Sequence, residues 1–310
     1  MKTVAVLLSA YNGTRYIEEQ IDSVLAQEEV DVTIFVRDDG SKDGTVDFLN
    51  TRYKDDPRVV VKPEPNCGVG ISFMRLLYAA PDTFDYYCFC DQDDIWLPRK
   101  IITAINMIEE KSGPVLYASN QLLVDSNGEQ YDIRYHSEPA HGYRNIICTN
   151  KLAGCTFVWN NALQKIVAEK RYRPDESFFK IRIHDVWVIL IAAITGTVIY
   201  DPDSYIKYRI HSANEVGTVE RKNLIQKFKA DYTTLFVKKK TRHRSDTCKL
   251  VVELFSDLLS PEDLQATKEH YEYLTDGKIK RKLLVSNNPY FRGEKESLLK
   301  YKIKILFNIW

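Results

Sequence analysis

Two carboxylates separated by one residue follow an apolar segment of this 310-residue chain. Asp91-Gln92-Asp93 comes directly after Tyr86–Cys90 (YYCFC), a run typical of a buried strand. Carboxylates at positions i and i+2 of a strand end can bind one hard divalent cation, or a cation and a sugar hydroxyl. Mg²⁺ or Mn²⁺ bound in this way usually completes its shell with substrate phosphates. A solvated acidic turn would have the same residues, so the motif alone leaves both interpretations open.

Two other apolar runs end in polar clusters of the same kind. Asp38 and Asp39 follow the run VTIFV, where a carboxylate can accept a hydrogen bond from a ribose hydroxyl or a pyrimidine ring N–H. Ser9 and Tyr11 stand at the end of the run VAVLLS, where a nucleotide base can stack on the tyrosine ring. These residue types therefore favour a site for a nucleotide and a cation.

The elements that must position these residues alternate between strand and helix over the first hundred residues. Ile17, Ile21 and Val24, for example, recur at helical spacing between the first two apolar runs. Such alternation predicts an α/β fold with a mostly parallel central sheet flanked by helices. Ligands bind at the carboxyl ends of the strands in such sheets, and all three polar clusters are expected at that edge.

The charge of the chain divides it into two regions. Residues 1–220 carry 23 basic and 32 acidic side chains, whereas residues 221–310 carry 20 basic and 11 acidic ones. From about residue 220 the pattern is helical and basic, with no clear strand. We therefore predict a domain over 1–220 and a helical C-terminal extension over 221–310.

Composition excludes several classes of protein. The net charge is zero, without the basic excess of a dedicated nucleic-acid binder. No apolar run reaches the roughly 18–20 residues of a membrane span, and the apolar N-terminal run is too short for a secretory signal. The six cysteines form no CxxC pair and do not indicate a disulfide framework. We therefore expect a cytoplasmic protein.

Four motifs together resemble a known family. SAYNG, RDDGSKDGT, NCGVG and DQDDIWLPRK occur in the order and spacing of the large inverting glycosyltransferase family 2, which has the GT-A fold. The resemblance covers roughly residues 3–220. LAGCTFVWN, IHDVWVILIAA and YRIHSANEVG are further similar to the bacterial rhamnosyltransferase-like branch, which builds cell-surface polysaccharides. The resemblance implies nucleotide-sugar binding in residues 1–100 and the acceptor side in residues 101–220.

The resemblance also implies roles for individual residues. Asp93 corresponds to the direct metal ligand, His211 to a late histidine near the metal or diphosphate, and Asp185 to the catalytic base. It further implies that Asp39, or its neighbour Asp38, binds the nucleotide and that Asp91 contacts the ribose or the metal shell. The predicted donor-binding residues are these three together with Ser9, Tyr11 and Arg99, which the residue types suggest. Many relatives have Glu where this chain has His184.

Simpler interpretations of three of these residues stay open. Asp185 opens an apolar helix, where a carboxylate also serves as an N-terminal cap. A lone histidine such as His211 is usually an ordinary surface or core residue. Arg99 can meet a phosphate or be a solvated helix residue.

The implied activity is inverting, Mg²⁺- or Mn²⁺-dependent transfer of a sugar from a nucleotide diphosphate to a saccharide or a lipid-linked saccharide. The branch favours dTDP-L-rhamnose as donor, with UDP-glucose or UDP-galactose as the alternative. A non-catalytic sugar-nucleotide-binding partner is the rival from another class. The basic, apolar tail (residues 278–282 and 301–310) predicts either contact with the inner face of the plasma membrane or packing on the catalytic domain or a second subunit.

Overall fold

The computed structural model describes residues 1–181, 183–210, 243–294 and 296–310. Of the predicted site residues, His211 lies outside the described residues. None of the helices in the described ranges is long and apolar enough to cross a membrane. The described chain divides into two units, formed by Met1–His141 with Lys151–Ala213 and by Gly142–Asn150 with Asn214–Trp310.

The first unit is built on one mixed sheet, which confirms the predicted α/β fold. The strands are β1 (Lys2–Ala10), β2 (Val30–Asp38), β3 (Val59–Pro63), β4 (Tyr86–Cys90), β5 (Ile95–Trp96), β6 (Val115–Val124), β7 (Gln130–Ile133), β8 (Val158–Asn160) and β9 (Thr197–Arg209). The helices of this unit are α1 (Ile17–Leu25), α2 (Thr45–Arg52), α3 (Val69–Ala79), α4 (Lys100–Glu109), α6 (Asn161–Ala168) and α7 (His184–Thr195).

The strand order within the described residues is β3-β2-β1-β4-β8-β6-β9-β5, with β7 paired to β6. The four strands of the first ninety residues are parallel, as predicted. Beyond β4 the sheet becomes mixed, because β8 runs antiparallel to both β4 and β6. All residues from Val4 to Leu8 of β1 are fully buried, because helices cover both faces of a parallel sheet. The carboxyl ends of β1, β2 and β4 thus lie side by side.

The sequence predicts two short strands, Thr197–Tyr200 and Tyr205–Ile210, but the structure has the single long strand β9. β9 pairs with β6 in parallel, and its register shifts opposite Ser119 and Asn120. The shift falls around Pro202, whose backbone nitrogen cannot donate to the ladder. The strand therefore continues through an irregularity that resembles a break in the sequence.

The second unit is helical within its described residues. Its helices are α5 (Tyr143–Cys148), α8 (His243–Phe255), α9 (Pro261–Glu272), α10 (Gly277–Val285) and α11 (Leu298–Leu306). α5 comes from within the predicted first domain, yet Tyr143 Oη lies 2.7 Å from Thr267 Oγ1 of α9. The predicted boundary near residue 220 falls outside the described residues and stays a prediction.

Candidate active site

Hydrogen bonds connect the carboxyl ends of β1, β2 and β4 directly. The side-chain amide of Gln92 accepts from Tyr11 N at 2.8 Å and donates to Tyr11 O at 3.0 Å. Asn12 N donates to Ser41 Oγ at 2.8 Å, and Lys42 N donates to Asn12 Oδ1 at 2.9 Å. The three predicted polar clusters therefore form one surface, with the Tyr11 side chain 47% exposed upon it.

Asp38 and Asp39 have different environments at the end of β2. Asp38 Oδ1 accepts from Gly40 N at 3.1 Å and Ser41 N at 2.9 Å, and Asp38 Oδ2 accepts from the Ser41 hydroxyl. Asp38 is 1% exposed. This carboxylate therefore stabilises the turn after β2, which is a common structural role of an aspartate at such a position.

Asp39 accepts hydrogen bonds from three neighbouring residues. Its Oδ1 accepts from Arg37 Nη1 at 2.5 Å and from Cys67 N at 2.9 Å, and its Oδ2 accepts from Gly68 N at 2.9 Å. Burial raises the pKa of Asp39, but the hydrogen bonds from Arg37 and from the Cys67 and Gly68 backbone lower it by more. The net pKa is below its usual value, so the carboxyl is ionised. Arg37 also donates to Ser72 Oγ at 2.9 Å.

Ser9 belongs to the same hydrogen-bond network. Its hydroxyl oxygen lies 2.6 Å from Ser72 Oγ, which accepts from Arg37. The Arg37 guanidinium thus joins the end of β1 to Asp39 at the end of β2. Ser9 and Asp39, both predicted from the sequence, are brought together by an arginine and a serine that the sequence did not single out.

An acidic cluster lies at the end of β4. Asp91, Asp94 and Cys155 each place one potential ligand atom within 4.8 Å of the others. Burial, together with the nearby charges of Asp93 and Asp185, raises the pKa of Asp91 to about 7. Burial and the charges of Asp93 and Asp91 raise the pKa of Asp94 well above its usual value. The third aspartate of the DQDD motif therefore belongs to the site, although its place after the Asp-x-Asp pair gave no separate signal.

The donor atoms of this cluster fit a hard divalent cation. Asp94 is 1% exposed, and its Oδ2 is a buried oxygen that accepts no hydrogen bond from the described residues. Burial and the charges of Asp94 and Asp91 raise the pKa of the Cys155 thiol well above its usual value, so the sulfur keeps its proton. A neutral thiol is a poor ligand for Mg²⁺ or Mn²⁺. The Cys155 sulfur instead accepts from Gln121 Nε2 at 3.3 Å, and the carboxylates are the groups that can hold a metal.

Asp185 shares this region although it comes from a distant part of the chain. A Cβ on Gly154, the residue before Cys155 of the acidic cluster, would lie 3.0 Å from Asp185 Cβ, and the charge of Asp185 contributes to the raised pKa of Asp91. The N-cap of α7 is Ile183, and Asp185 is the second helical residue, 8% exposed. Its Oδ1 accepts from Val186 N at 2.6 Å, so the side chain also satisfies a free N–H of the first turn, as the simpler interpretation of this residue expects.

Gly154 and His184 hold the start of α7 in place. A Cβ on Gly154 would lie 3.0 Å from Asp185 Cβ and 3.1 Å from His184 Nε2. The His184 ring stacks on Phe73 at 4.0 Å between centroids and meets Phe89 edge-on at 4.7 Å. Burial lowers the pKa of His184 to about 3, so the ring is neutral and acts as a packing group. His184, which stands where many relatives have Glu, thus supports Asp185 from the core.

The close approach of Gly154 to Asp185 leads to a testable prediction. Gly154→Ala is expected to displace Asp185 by a few tenths of an ångström and to lower kcat about tenfold, because misplacement of a catalytic group is costly. Steady-state kinetics of sugar transfer measure the effect. Gly142→Ala is the matched control, since a Cβ there would meet Asn145 Oδ1 at an ordinary 3.6 Å. Equal kcat values for Gly154→Ala and Gly142→Ala would show that the contact between Gly154 and Asp185 does not affect catalysis.

Arg209 forms hydrogen bonds to the turn that contains Asp93 and Asp94. Its Nε donates to Asp93 O at 3.0 Å, and its backbone N–H donates to Asp94 Oδ1 at 3.1 Å. Its Nη1 donates to Ser126 O at 3.1 Å, and its Nη2 donates to Glu19 Oε2 at 2.6 Å. Arg209 is 2% exposed, so its bonds to the Asp93 and Ser126 carbonyls form away from water, whereas the Glu19 side chain is exposed. Sequence reasoning missed this residue, although it stands in the motif that contains His211.

Arg99 is not brought to this group. Its guanidinium pairs with Glu29 at 2.9 Å and Glu28 at 3.4 Å, immediately before β2 begins. That position is at the amino end of β2, whereas Asp38 and Asp39 follow its carboxyl end. The structure therefore places Arg99 as an exposed helix-start residue, in line with its simpler interpretation.

Comparison with known proteins agrees with the motifs. Residues 5–165 match the family model "Glycosyl transferase family 2". The chain belongs to glycosyltransferase family 2. This family 2 glycosyltransferase is 29% identical over 266 residues to a dTDP-rhamnosyl transferase, RfbG of Shigella flexneri, covering 81% of this chain and 85% of the relative. It is 30% identical over 156 residues to the putative teichuronic acid biosynthesis glycosyltransferase TuaG of Bacillus subtilis, covering 50% of this chain and 60% of the relative.

Solved structures show the same fold. Residues 1–349 of TarS from S. aureus, in complex with UDP-GlcNAc, superpose with a TM-score of 0.54 at 17% identity, covering 100% of this chain and 90% of that chain. The complex of the same TarS fragment with UDP gives a TM-score of 0.53 at 16% identity. At this identity the likeness establishes the GT-A fold of the family 2 glycosyltransferase and nothing more about its substrates.

Proposed function

We propose that this glycosyltransferase transfers a sugar from a nucleotide diphosphate to a saccharide hydroxyl with inversion, with Asp185 as the base. The observation that carries the proposal is the position of Asp185 against Gly154, the residue before Cys155 of the acidic cluster. This position supports one cleft in which a base faces the carboxylates that hold the donor diphosphate. A non-catalytic sugar-nucleotide-binding partner would have no need of Asp185 there.

We assign the donor nucleotide to the surface formed by the ends of β1 and β2. The exposed Tyr11 ring can stack on the base, and the ionised Asp39 can accept a hydrogen bond from a pyrimidine ring N–H. Ser9 belongs to the same network as Asp39. Asp38 contributes indirectly, by shaping the turn that carries Asp39.

The carboxylates at the end of β4 would hold the diphosphate through a divalent cation, Mg²⁺ or Mn²⁺. We assign Asp93 as the direct ligand and Asp91 as a ribose or metal-shell contact, because both are only half-buried, whereas Asp94 is buried. When bound, the cation neutralises charge on the leaving diphosphate. His211 stays a predicted contact of the metal or diphosphate.

The chemical step needs only one proton acceptor from the chain. The acceptor hydroxyl oxygen forms a bond to the anomeric carbon while its proton passes to Asp185. The bond from that carbon to the diphosphate oxygen breaks on the opposite side, and the leaving group takes the electron pair. A single displacement of this kind inverts the anomeric centre.

We propose dTDP-L-rhamnose as the donor, on the basis of the similarity to a dTDP-rhamnosyl transferase over most of both chains. UDP-glucose or UDP-galactose is the alternative. A saccharide or lipid-linked saccharide of a cell-surface polysaccharide is the proposed acceptor, supported by the similarity to RfbG and TuaG. We place the reaction in the cytoplasm, at the inner face of the plasma membrane.

A donor screen tests this proposal. With Mn²⁺ present, release of nucleoside diphosphate is expected to be fastest from dTDP-L-rhamnose, and excess EDTA is expected to lower the rate by at least about 100-fold, because the cation stabilises the leaving group. Re-addition of Mn²⁺ should restore the rate. Asp93→Asn, assayed with Mn²⁺ and without EDTA, removes the proposed metal ligand without a chelator and should also lower the rate. Faster release from a UDP-sugar would reject rhamnose, whereas binding without turnover of any donor would favour the non-catalytic rival.

A further inference from the structure

The two last helices of the second unit expose basic and apolar side chains on their outer faces. In α11, Tyr301 and Ile305 are fully buried, whereas Leu299 is 69% and Leu306 is 52% exposed. Leu299 and Leu306 are seven residues apart and therefore share the face opposite the buried pair. This leucine pair adds nothing to the core and leaves aliphatic surface exposed on α11.

The outer face of α10 is basic. Lys278, Arg281 and Lys282 are exposed at helical spacing, together with Val285, which is 66% exposed, while Leu283 is buried. α10 and α11 contain four and three basic residues and no acidic one. Lys280 Nζ of α10 donates to Asn308 Oδ1 at 2.9 Å, just beyond α11, so the two faces belong to neighbouring helices.

Part of this charge is unpaired within the described part of the chain. Lys282 pairs with Glu269, and Lys304 pairs with Glu296. Lys278, Arg281 and Lys302 form no ion pair with the described residues. Their charge is thus available to an anionic partner, with Lys302 beside the exposed leucines of α11.

We propose that the outer faces of α10 and α11 bind an anionic phospholipid surface. Cationic side chains next to exposed aliphatic ones match a bilayer interface, where headgroups are negative and acyl chains begin just below them. A soluble protein partner or a second copy would also cover the leucines. An anionic bilayer both covers the leucines and neutralises Lys278, Arg281 and Lys302, whose helices contain no acidic residue.

Vesicle flotation of the full chain, without donor or acceptor, tests the proposal independently of the sugar-transfer activity. The full chain is expected to bind vesicles of equal parts phosphatidylglycerol and phosphatidylcholine at least about tenfold more tightly than vesicles of phosphatidylcholine alone. Binding to the anionic vesicles should weaken in about 0.5 M salt, because salt screens charges at a surface.

Two double variants separate the charged and apolar contributions. Lys278→Glu with Arg281→Glu, and Leu299→Ser with Leu306→Ser, are each expected to weaken binding at least about tenfold. The controls make the same kinds of change at exposed residues elsewhere: Lys54→Glu with Lys249→Glu, and Val60→Ser with Leu258→Ser. Rates of nucleotide release should stay unchanged in all four variants, which shows that they fold.

Three results would overturn the proposal. The first is failure of the wild-type chain to float with anionic vesicles. The second is equal loss of binding in the test and control variants, since that would indicate a non-specific charge effect. The third is a wild-type dimer in light scattering that the leucine variant dissociates while vesicle binding is unaffected, since that would assign the face to a second copy of the chain.

Discussion

Asp185→Asn is expected to lower kcat for sugar transfer by about 10²–10⁴-fold, the usual contribution of a positioned general base. Asparagine has nearly the same shape as aspartate but cannot take the proton of the acceptor hydroxyl. The donor KM should change little, because Asp185 is assigned to the acceptor side of the reacting carbon. The free energy of unfolding should fall by no more than about 1 kcal/mol, the typical worth of an acidic group in the first turn of a helix.

Steady-state kinetics with the identified donor, together with thermal unfolding, measure both quantities. Asp47→Asn is the matched control, because Asp47 is also an acidic residue in the first turn of a helix, α2. It removes a comparable helix-dipole interaction without touching the site. A kcat for Asp185→Asn within a few-fold of that of Asp47→Asn would refute the assignment of the base.

Arg209→Lys is expected to weaken binding of Mn²⁺ in the presence of UDP at least about tenfold and to lower kcat with it. A lysine has one compact ammonium group and cannot hold Asp93 O, Ser126 O and Glu19 together as the planar guanidinium does. The turn that carries Asp91 and Asp93 should then sample other conformations. Destabilisation of a few kcal/mol is also expected, because buried polar groups lose their partners.

Metal binding distinguishes a role in the site from a role in the fold. Free Mn²⁺ measured by electron paramagnetic resonance gives the affinity at a temperature where the variant is fully folded. The Arg209 guanidinium lies over the Tyr16 ring, 4.5 Å from its centroid, and pairs with Glu19. Arg144→Lys is a suitable control, since Arg144 lies over the Tyr290 ring, 3.6 Å from its centroid, and pairs with Glu262 at 3.2 Å. If Arg209→Lys lowered the melting temperature but left the Mn²⁺ affinity at the wild-type value, Arg209 would serve the fold alone.

The strand-end motifs were predictable because their signals are local. A continuous apolar run followed by a polar cluster marks the end of a buried parallel strand, and parallel strands place such ends at one edge. The contacts of Tyr11 with Gln92, and of Asn12 with Ser41, confirm that geometry. The sequence could not separate Asp38 from Asp39, because adjacent side chains of a strand point to opposite sides and only their partners distinguish them.

The sequence by itself determined the α/β fold, the family and the residue types that can bind a nucleotide and a cation, because periodicity and short motifs depend on neighbours along the chain. Only the tertiary structure decided that Asp94, Cys155 and Arg209 complete the acidic cluster and that Arg99 lies at the other edge of the sheet. The acidic cluster forms where the end of β4, the end of β9 and the segment at Gly154 meet. Contacts between segments so distant in sequence are set by the packing of the whole sheet, and no local pattern encodes them.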